Sequence, residues 1–348
     1  MSTPRVATGL HLVAVTALYA SLSVLSPSAS IYAQQPSATL PEDTARGVEM
    51  YRKGDTKGAI ETLGAVVKQR PDDADAWHYL GLSLNREGDT KAARKAFEKA
   101  VKLRPGFITA RAALAYTLIN AGKWRDAARE AERILPFDAR NVEAHYMIGL
   151  ARLNLGDLSK ALKEADAALS INPSFALAFL LKSKALFSIV ESEATRGKEV
   201  NKATYKRFAE AAENLEKYIA LSPNDPNISS WREQLDVLKI YAGIEKQPVN
   251  ERKIFKPDEL TTRARILSKP EPQYTEEARM NQVSGTVVLR AVLGADGTVK
   301  YILVVRSLGH GLTEKCVEVA RKIKFIPATK DGQTVSQVVQ IEYNFNLY

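Results

Sequence analysis

Four histidines (His11, His78, His145 and His310) and one cysteine (Cys316) are the side chains best suited to metal ligation or nucleophilic attack. Their spacing builds neither chemistry. The histidines are scattered along the chain, with no pair at metal-ligand separation. A thiol nucleophile needs a neighbouring base, and His310 stands six residues before Cys316. Cys316, however, falls on the apolar stripe Leu312, Cys316, Val319, Ala320 and Ile323, where helical spacing calls for a small buried residue. Gly309-His310-Gly311 reads as the turn before that helix. No Gly-x-Ser-x-Gly elbow, phosphate-binding loop or zinc ribbon occurs. The chain is expected to hold no cofactor or metal and to be no enzyme, and one cysteine forms no internal disulfide.

The elements around these residues must therefore be read for binding. The chain has 348 residues, 45% hydrophobic and 26% charged, which disfavours wholesale disorder, a polytopic membrane protein and a disulfide scaffold. Its net charge of +9 is spread without any Lys/Arg run of five or more, so it describes solvated faces and implies no nucleic-acid partner.

Arg5 is the only charge before Glu42. Val6 to Leu25 is mostly apolar, Ser26-Pro27-Ser28-Ala29-Ser30 follows, and Ala33 offers a small residue for cleavage. Residues 1–33 thus read as an export signal. The same apolar stretch, residues 6–25, has the length to span a bilayer as a retained anchor. Both alternatives put the rest of the chain outside the cytoplasm.

Residues 40–244 carry a repeat. A 34-residue step relates Gly54, Gly88, Gly122 and Gly156, and again Ala59, Ala93, Ala127 and Ala161. It also relates Gly47, Gly81, Ala115 and Gly149, while Pro71, Pro105 and Pro173 share the step with Ala139 between them. A small residue lets the first helix of each pair approach the second, glycine ends the first helix, and proline stops the second. Trp77, Leu80, Gly81, Gly88, Ala93, Phe97, Ala100 and Pro105 show the pattern best, and this part resembles the tetratricopeptide repeat family. A fifth unit departs, with Pro223 placed 50 residues after Pro173. The added residues fall near 188–206 and either lengthen both helices or form a loop. Ile228 to Ile244 reads as a closing helix. In the family the first helix of each pair lines a concave groove. The resemblance therefore implies a protein or peptide ligand at Asp75, His78, Asn85, Tyr116, Asn120, Tyr146 and Asn154.

Residues 245–265 read as a linker, and beyond them the apolar period becomes two. Val287, Leu289, Ala291 and Leu293 share one strand face, as do Val299, Tyr301, Leu303 and Val305 in the next strand. Gly294-Ala295-Asp296-Gly297 makes the hairpin between them. A last strand alternates Val335, Val339, Ile341, Tyr343, Phe345 and Leu347 with polar residues, and Thr275 caps a short helix upstream. The expected fold of 266–348 is a small α+β domain, a three-stranded antiparallel sheet with two helices, following an α-helical solenoid.

Pro270-Glu271-Pro272-Gln273-Tyr274, Ala278-Arg279, Gly285-Thr286-Val287, Asp296-Gly297-Thr298-Val299, Phe325-Ile326-Pro327-Ala328 and Asp331-Gly332 resemble the TonB C-terminal domain family. Thr275, where the family has proline, and Cys316, where alanine is common, depart from it. So does the repeat array standing in place of a Pro-rich spacer. The resemblance implies a periplasmic protein whose last strand grips the plug peptide of an outer-membrane TonB-dependent transporter. An inner-membrane proton-driven motor would be a further partner. Ser336, Val338, Gln340, Glu342, Asn344 and Asn346 would form that contact, since a long edge strand leaves backbone groups for an added strand. Two readings stand: an energy transducer anchored by its N-terminus, or a soluble periplasmic adaptor that transmits no force.

Overall fold

The computed structural model of the chain describes residues 40–195, 202–243, 254–280, 282–306 and 308–346. The expected signal or anchor at 1–33 lies outside them. Two compact units divide within one helix, the first ending at Ala185 and the second beginning at Leu186.

The first unit is the solenoid. Helices α1 (Glu42–Lys53) and α2 (Thr56–Gln69), α3 (Ala74–Arg86) and α4 (Thr90–Leu103), α5 (Ile108–Asn120) and α6 (Trp124–Glu132), and α7 (Val142–Asn154) and α8 (Leu158–Ile171) form four successive pairs. Each pair turns at the glycine that the 34-residue step picks out. Gly54, Gly88, Gly122 and Gly156 all adopt left-handed φ, from 66° to 88°, which closes the first helix at no steric cost. Three of the four second helices start on an aspartate: Asp55, Asp89 and Asp157 accept from the backbone N–H groups of Gly58, Ala92 and Lys160, whereas α6 starts on Lys123. These carboxylates satisfy donors that a helix start leaves open.

Close approach within a pair also follows the step. A Cβ on Gly81 would meet the Phe97 ring at 2.6 Å, and one on Gly47 would meet Leu63 at the same distance. A third register holds the second, third and fourth pairs to the loop before each. Trp77 Nε1 donates to the Pro71 carbonyl at 2.9 Å, Arg111 Nη2 donates to that of Pro105 at 2.7 Å, and His145 Nε2 lies 3.3 Å from that of Ala139. Three residue types therefore do the same work at one repeat position. Arg111 and His145 further pair with Glu130 and Glu164, each at 2.7 Å, and Arg111–Glu130 is buried.

The second unit begins in α9 (Ala176–Thr195) and continues through α10 (Lys202–Leu221) and α11 (Ile228–Gly243). α9 and α10 have 20 residues each, against 14 or fewer in the four pairs before them, so the inserted residues lengthen both helices. Trp231, Leu235 and Leu238 of α11 are buried, and Trp231 meets Tyr218 of α10 edge to face.

The expected linker is largely structured where it is described. β1 (Ile254–Phe255) and a one-turn 3-10 helix (Pro257–Glu259) occupy it, and β2 (Arg265–Ser268) begins at its end. Then follow α12 (Glu276–Met280), β3 (Gly285–Leu293), β4 (Val299–Arg306), α13 (Leu312–Ala320), β5 (Lys324–Ile326), β6 (Ala328–Lys330) and β7 (Gln333–Phe345). The expected three antiparallel strands are present as β7, β3 and β4, with β7 against β3 and β3 against β4. The sheet is larger than expected, because β1 adds in parallel to β7 and β6 pairs with its beginning. β2 and β5 make a separate two-stranded sheet.

Val287, Leu289, Ala291 and Leu293 pack on Leu312, Cys316 and Ala320 of α13 as their spacing predicts, together with Ile341, Tyr343 and Phe345. The Tyr274 hydroxyl donates to the Val283 carbonyl, and its ring meets Phe345 edge to face. Thr275 caps α12 through the Ala278 N–H. In β4 the alternation is not the expected one. Tyr301 has φ +49° and the β3–β4 register slips there, so the core takes Val299, Ile302 and Val304 while Tyr301 is exposed. The extra residue of a bulge shifts every later side chain to the other face.

The glycines give a paired prediction. Gly81→Ala forces a methyl onto the buried Phe97 ring and is expected to destabilise the chain by about 1–3 kcal/mol. Gly64→Ala, inside α2 with open space around it, is expected to stabilise by about 0.5–1 kcal/mol. Thermal unfolding of the two variants checks both signs.

Candidate partner-binding edge

The long strand β7 has one edge filled by β3 from Gln337 to Phe345. Its other edge is filled only at the start. There Ser336 and Gln337 face β1, while β6 pairs with Gln333, Thr334 and Val335 at the beginning of β7. Pro257 follows β1 after one residue and turns the chain into the 3-10 helix. Among the described residues, no strand pairs with Val338–Phe345 on that side.

The direction of these free groups is fixed by one contact. Lys269 Nζ donates to the Glu342 carbonyl at 2.9 Å from outside the sheet, so that carbonyl points away from β3. Backbone groups of a strand alternate sides, so Val338, Gln340 and Asn344 direct theirs outward with Glu342. Lys269 also lies 4.7 Å above the Tyr343 ring and 3.7 Å from the Glu271 carboxylate. It acts as a charged guard on an otherwise open edge.

The six residues expected here are placed as follows. Ser336 is covered by β1, and its hydroxyl accepts from the Ala295 N–H at 3.0 Å, so it lies outside the open stretch. Val338 is half-buried, while Gln340, Glu342 and Asn344 are exposed. Gln340 Nε2 donates to Glu342 at 2.8 Å, and Asn344 Oδ1 accepts from the Thr286 hydroxyl at 2.7 Å. Asn346 lies just past the end of β7 and is exposed.

The seven groove residues divide more sharply. Asn85, Asn120 and Asn154 are exposed, with Asn154 Nδ2 donating to the Leu150 carbonyl at 2.8 Å. Asp75 is half-buried and held by both Nη atoms of Arg104, at 3.1 and 2.5 Å. Tyr116 is half-buried against the core of the solenoid. His78 and Tyr146 are not groove residues. His78 is 2% exposed among the Tyr79, Phe97 and Phe107 rings, and burial brings its pKa down to about 3, leaving a neutral imidazole. Tyr146 is 5% exposed with its ring on Phe175.

Cys316 is fully buried, and burial pushes its thiol up to about 12. His310 instead faces Glu277 at 2.9 Å. No helix among the described residues is long and apolar enough to cross a membrane.

Comparison with known families agrees with both units. Residues 44–106, 84–149 and 142–175 match tetratricopeptide repeat families. Residues 270–347 match the family described as Gram-negative bacterial TonB protein C-terminal. The chain joins tetratricopeptide repeats to a TonB C-terminal domain. Solved structures similar to it include YrrB, a TPR protein with an unusual peptide-binding site, at 18% identity over 55% of this chain and 90% of that one, with TM-score 0.45. MamA is similar at 21% identity over 53% and 94%, with TM-score 0.43. A tetratricopeptide repeat protein from Parabacteroides merdae follows at 21% identity over 57% and 73%, with TM-score 0.46. No curated protein matches the chain.

Lys269 stands one residue before the matched segment 270–347, and its nearness to Pro270-Glu271-Pro272 is the one signal its sequence carries. Lys269→Ala removes the guard from the Glu342 carbonyl. Extended peptides are expected to bind this variant about two- to fivefold more tightly in fluorescence anisotropy, as one charged surface hydrogen bond no longer competes.

A second prediction concerns the repeats. Glu143, one 68-residue step from Asp75, is raised by burial to about 7. The folded chain then binds more protons than the unfolded one between about pH 4.5 and 7, so Glu143 costs stability as pH rises through that window. Glu143→Gln is expected to raise the melting temperature at pH 8 and leave it unchanged at pH 4.

Proposed function

We propose that the chain is a cell-envelope coupling protein of the TonB type. Its C-terminal domain takes an extended peptide of an outer-membrane transporter as a further strand beside β7. The repeats hold a second protein or peptide, and an N-terminal anchor supplies the link to an inner-membrane motor. No chemistry is assigned to the chain; the work is binding and mechanical coupling.

The observation that supports the reading is the open edge from Val338 to Phe345, with β1 already showing at Ser336 and Gln337 how a short strand adds there. Main-chain hydrogen bonds give such an added strand its affinity, and side chains on either face give selectivity.

Gln340→Pro tests it. The Gln340 N–H points outward, so proline there leaves the β3–β7 ladder complete and removes one donor from the open edge. With folding verified by circular dichroism, transporter plug peptides are expected to bind at least about tenfold more weakly. Unchanged binding by the folded variant rejects the edge as the interface. N-terminal sequencing of the mature protein separates the transducer from the adaptor: a start at Gln34 removes the anchor and with it force transmission.

A further inference from the structure

The sheet has a second face, turned away from α12 and α13. There β3 presents Val288, Arg290 and Val292, and cross-strand pairing sets Arg290 beside Gln340 and Val292 beside Val338. Val288, Val292 and Leu303 are buried on this face. Helix α11 reaches it, because the Tyr241 hydroxyl donates to the carbonyl of Tyr301, at the β4 bulge, at 3.1 Å. The Tyr241 ring lies 5.8 Å from the Arg290 guanidinium carbon.

A second cation arrives from the edge. Lys256, the residue after β1, has extended backbone angles (φ −79°, ψ 158°). Continuing the register of Ile254 with Ser336, it stands level with Val338 and on the same face. Its Nζ lies 4.7 Å from the centroid of the Tyr205 ring of α10. Val338 and Gln340 therefore have Lys256 on the outer side and Arg290 on the inner side, with two tyrosine rings beside them.

Neither cation forms an ion pair with a carboxylate among the described residues. The Glu259 carboxylate takes the backbone N–H of Lys256 at 2.8 Å, and Glu342 accepts the Gln340 amide. Arg290 is half-buried, and burial depresses its pKa because it disfavours the charged guanidinium. A partly buried guanidinium without a counter-charge is a cost that holding the fold does not require. Two such cations at the mouth of an unfilled strand position fit the recognition of a carboxylate.

We propose that the strand position beside β7 takes an acidic extended peptide. A glutamate or aspartate of this peptide, level with Gln340 and facing the second sheet face, sits between Lys256 and Arg290. The end of β1 fixes where the peptide starts, and so fixes which of its residues meets the two cations. The inference rests on strand addition at β7 and supplies its selectivity.

Two synthetic eight-residue peptides test it, β-branched at alternate positions and differing only in a central Glu or Gln. Anisotropy titrations use the full chain. The Glu peptide is expected to bind about tenfold more tightly at low salt, with the advantage shrinking as salt is added. Lys256→Gln is expected to reduce that preference and leave the Gln peptide's affinity unchanged, and Lys256→Gln with Arg290→Gln to abolish it. Arg290→Lys, which keeps the charge, retains most of it and controls for folding. Equal binding of the two peptides, or a preference that survives the double variant, overturns the inference while leaving strand addition intact. Failure of both peptides to bind the unaltered chain overturns strand addition itself, and this inference with it.

Discussion

The pairing of β3 with β7 is the interaction on which the C-terminal unit depends. It runs without a break from Gly285 against Phe345 to Leu293 against Gln337. That ladder fixes which side chains enter the core, since odd-numbered residues of both strands face α13. It also fixes which backbone groups are left over. A strand satisfied on one side must find partners for every second residue on the other. Here, among the described residues, β1 and Lys269 provide for part of that demand and leave the rest at the surface.

The same sheet has a second face, and helices that follow the four pairs reach it. An antiparallel sheet buries both faces only if something covers the second one. α12 and α13 lie on one face. Lengthened α10 and the closing helix α11 belong to the compact unit of the sheet, and Tyr241 of α11 donates to the carbonyl of Tyr301, at the β4 bulge. Buried Val288, Val292 and Leu303 are the apolar surface this arrangement removes from water.

How far residues alone reveal this varies with the physics of each position. The solenoid is legible because Gly54, Gly88, Gly122 and Gly156 mark positive φ, a requirement that few residues besides glycine meet cheaply. The β3–β4 hairpin and the β7 alternation are legible because period two is strict in a half-buried strand. Tyr301 is illegible for the opposite reason: a bulge breaks that period through one backbone angle, which leaves no mark on composition. β1 is too short to have a pattern, so a strand reads as linker. His78 and Tyr146 carry polar atoms on the first helices of their pairs, yet aromatic packing with Phe97, Phe107 and Phe175 places them inside. Of the proposed edge, Gln340, Glu342 and Asn344 are readable from alternation, whereas Lys269, Lys256 and Arg290 join it only through tertiary pairing.

The central claim is that β7 has a ladder on one edge and an unfilled strand position on the other. Amide hydrogen exchange, resolved by residue, measures this most directly. The account predicts slow exchange for Val339, Ile341 and Tyr343, fast exchange for Gln340, Glu342 and Asn344, and protection of the second set when an extended peptide is added. If the second set is already protected in the free chain, or stays unprotected while the peptide binds, the account is contradicted.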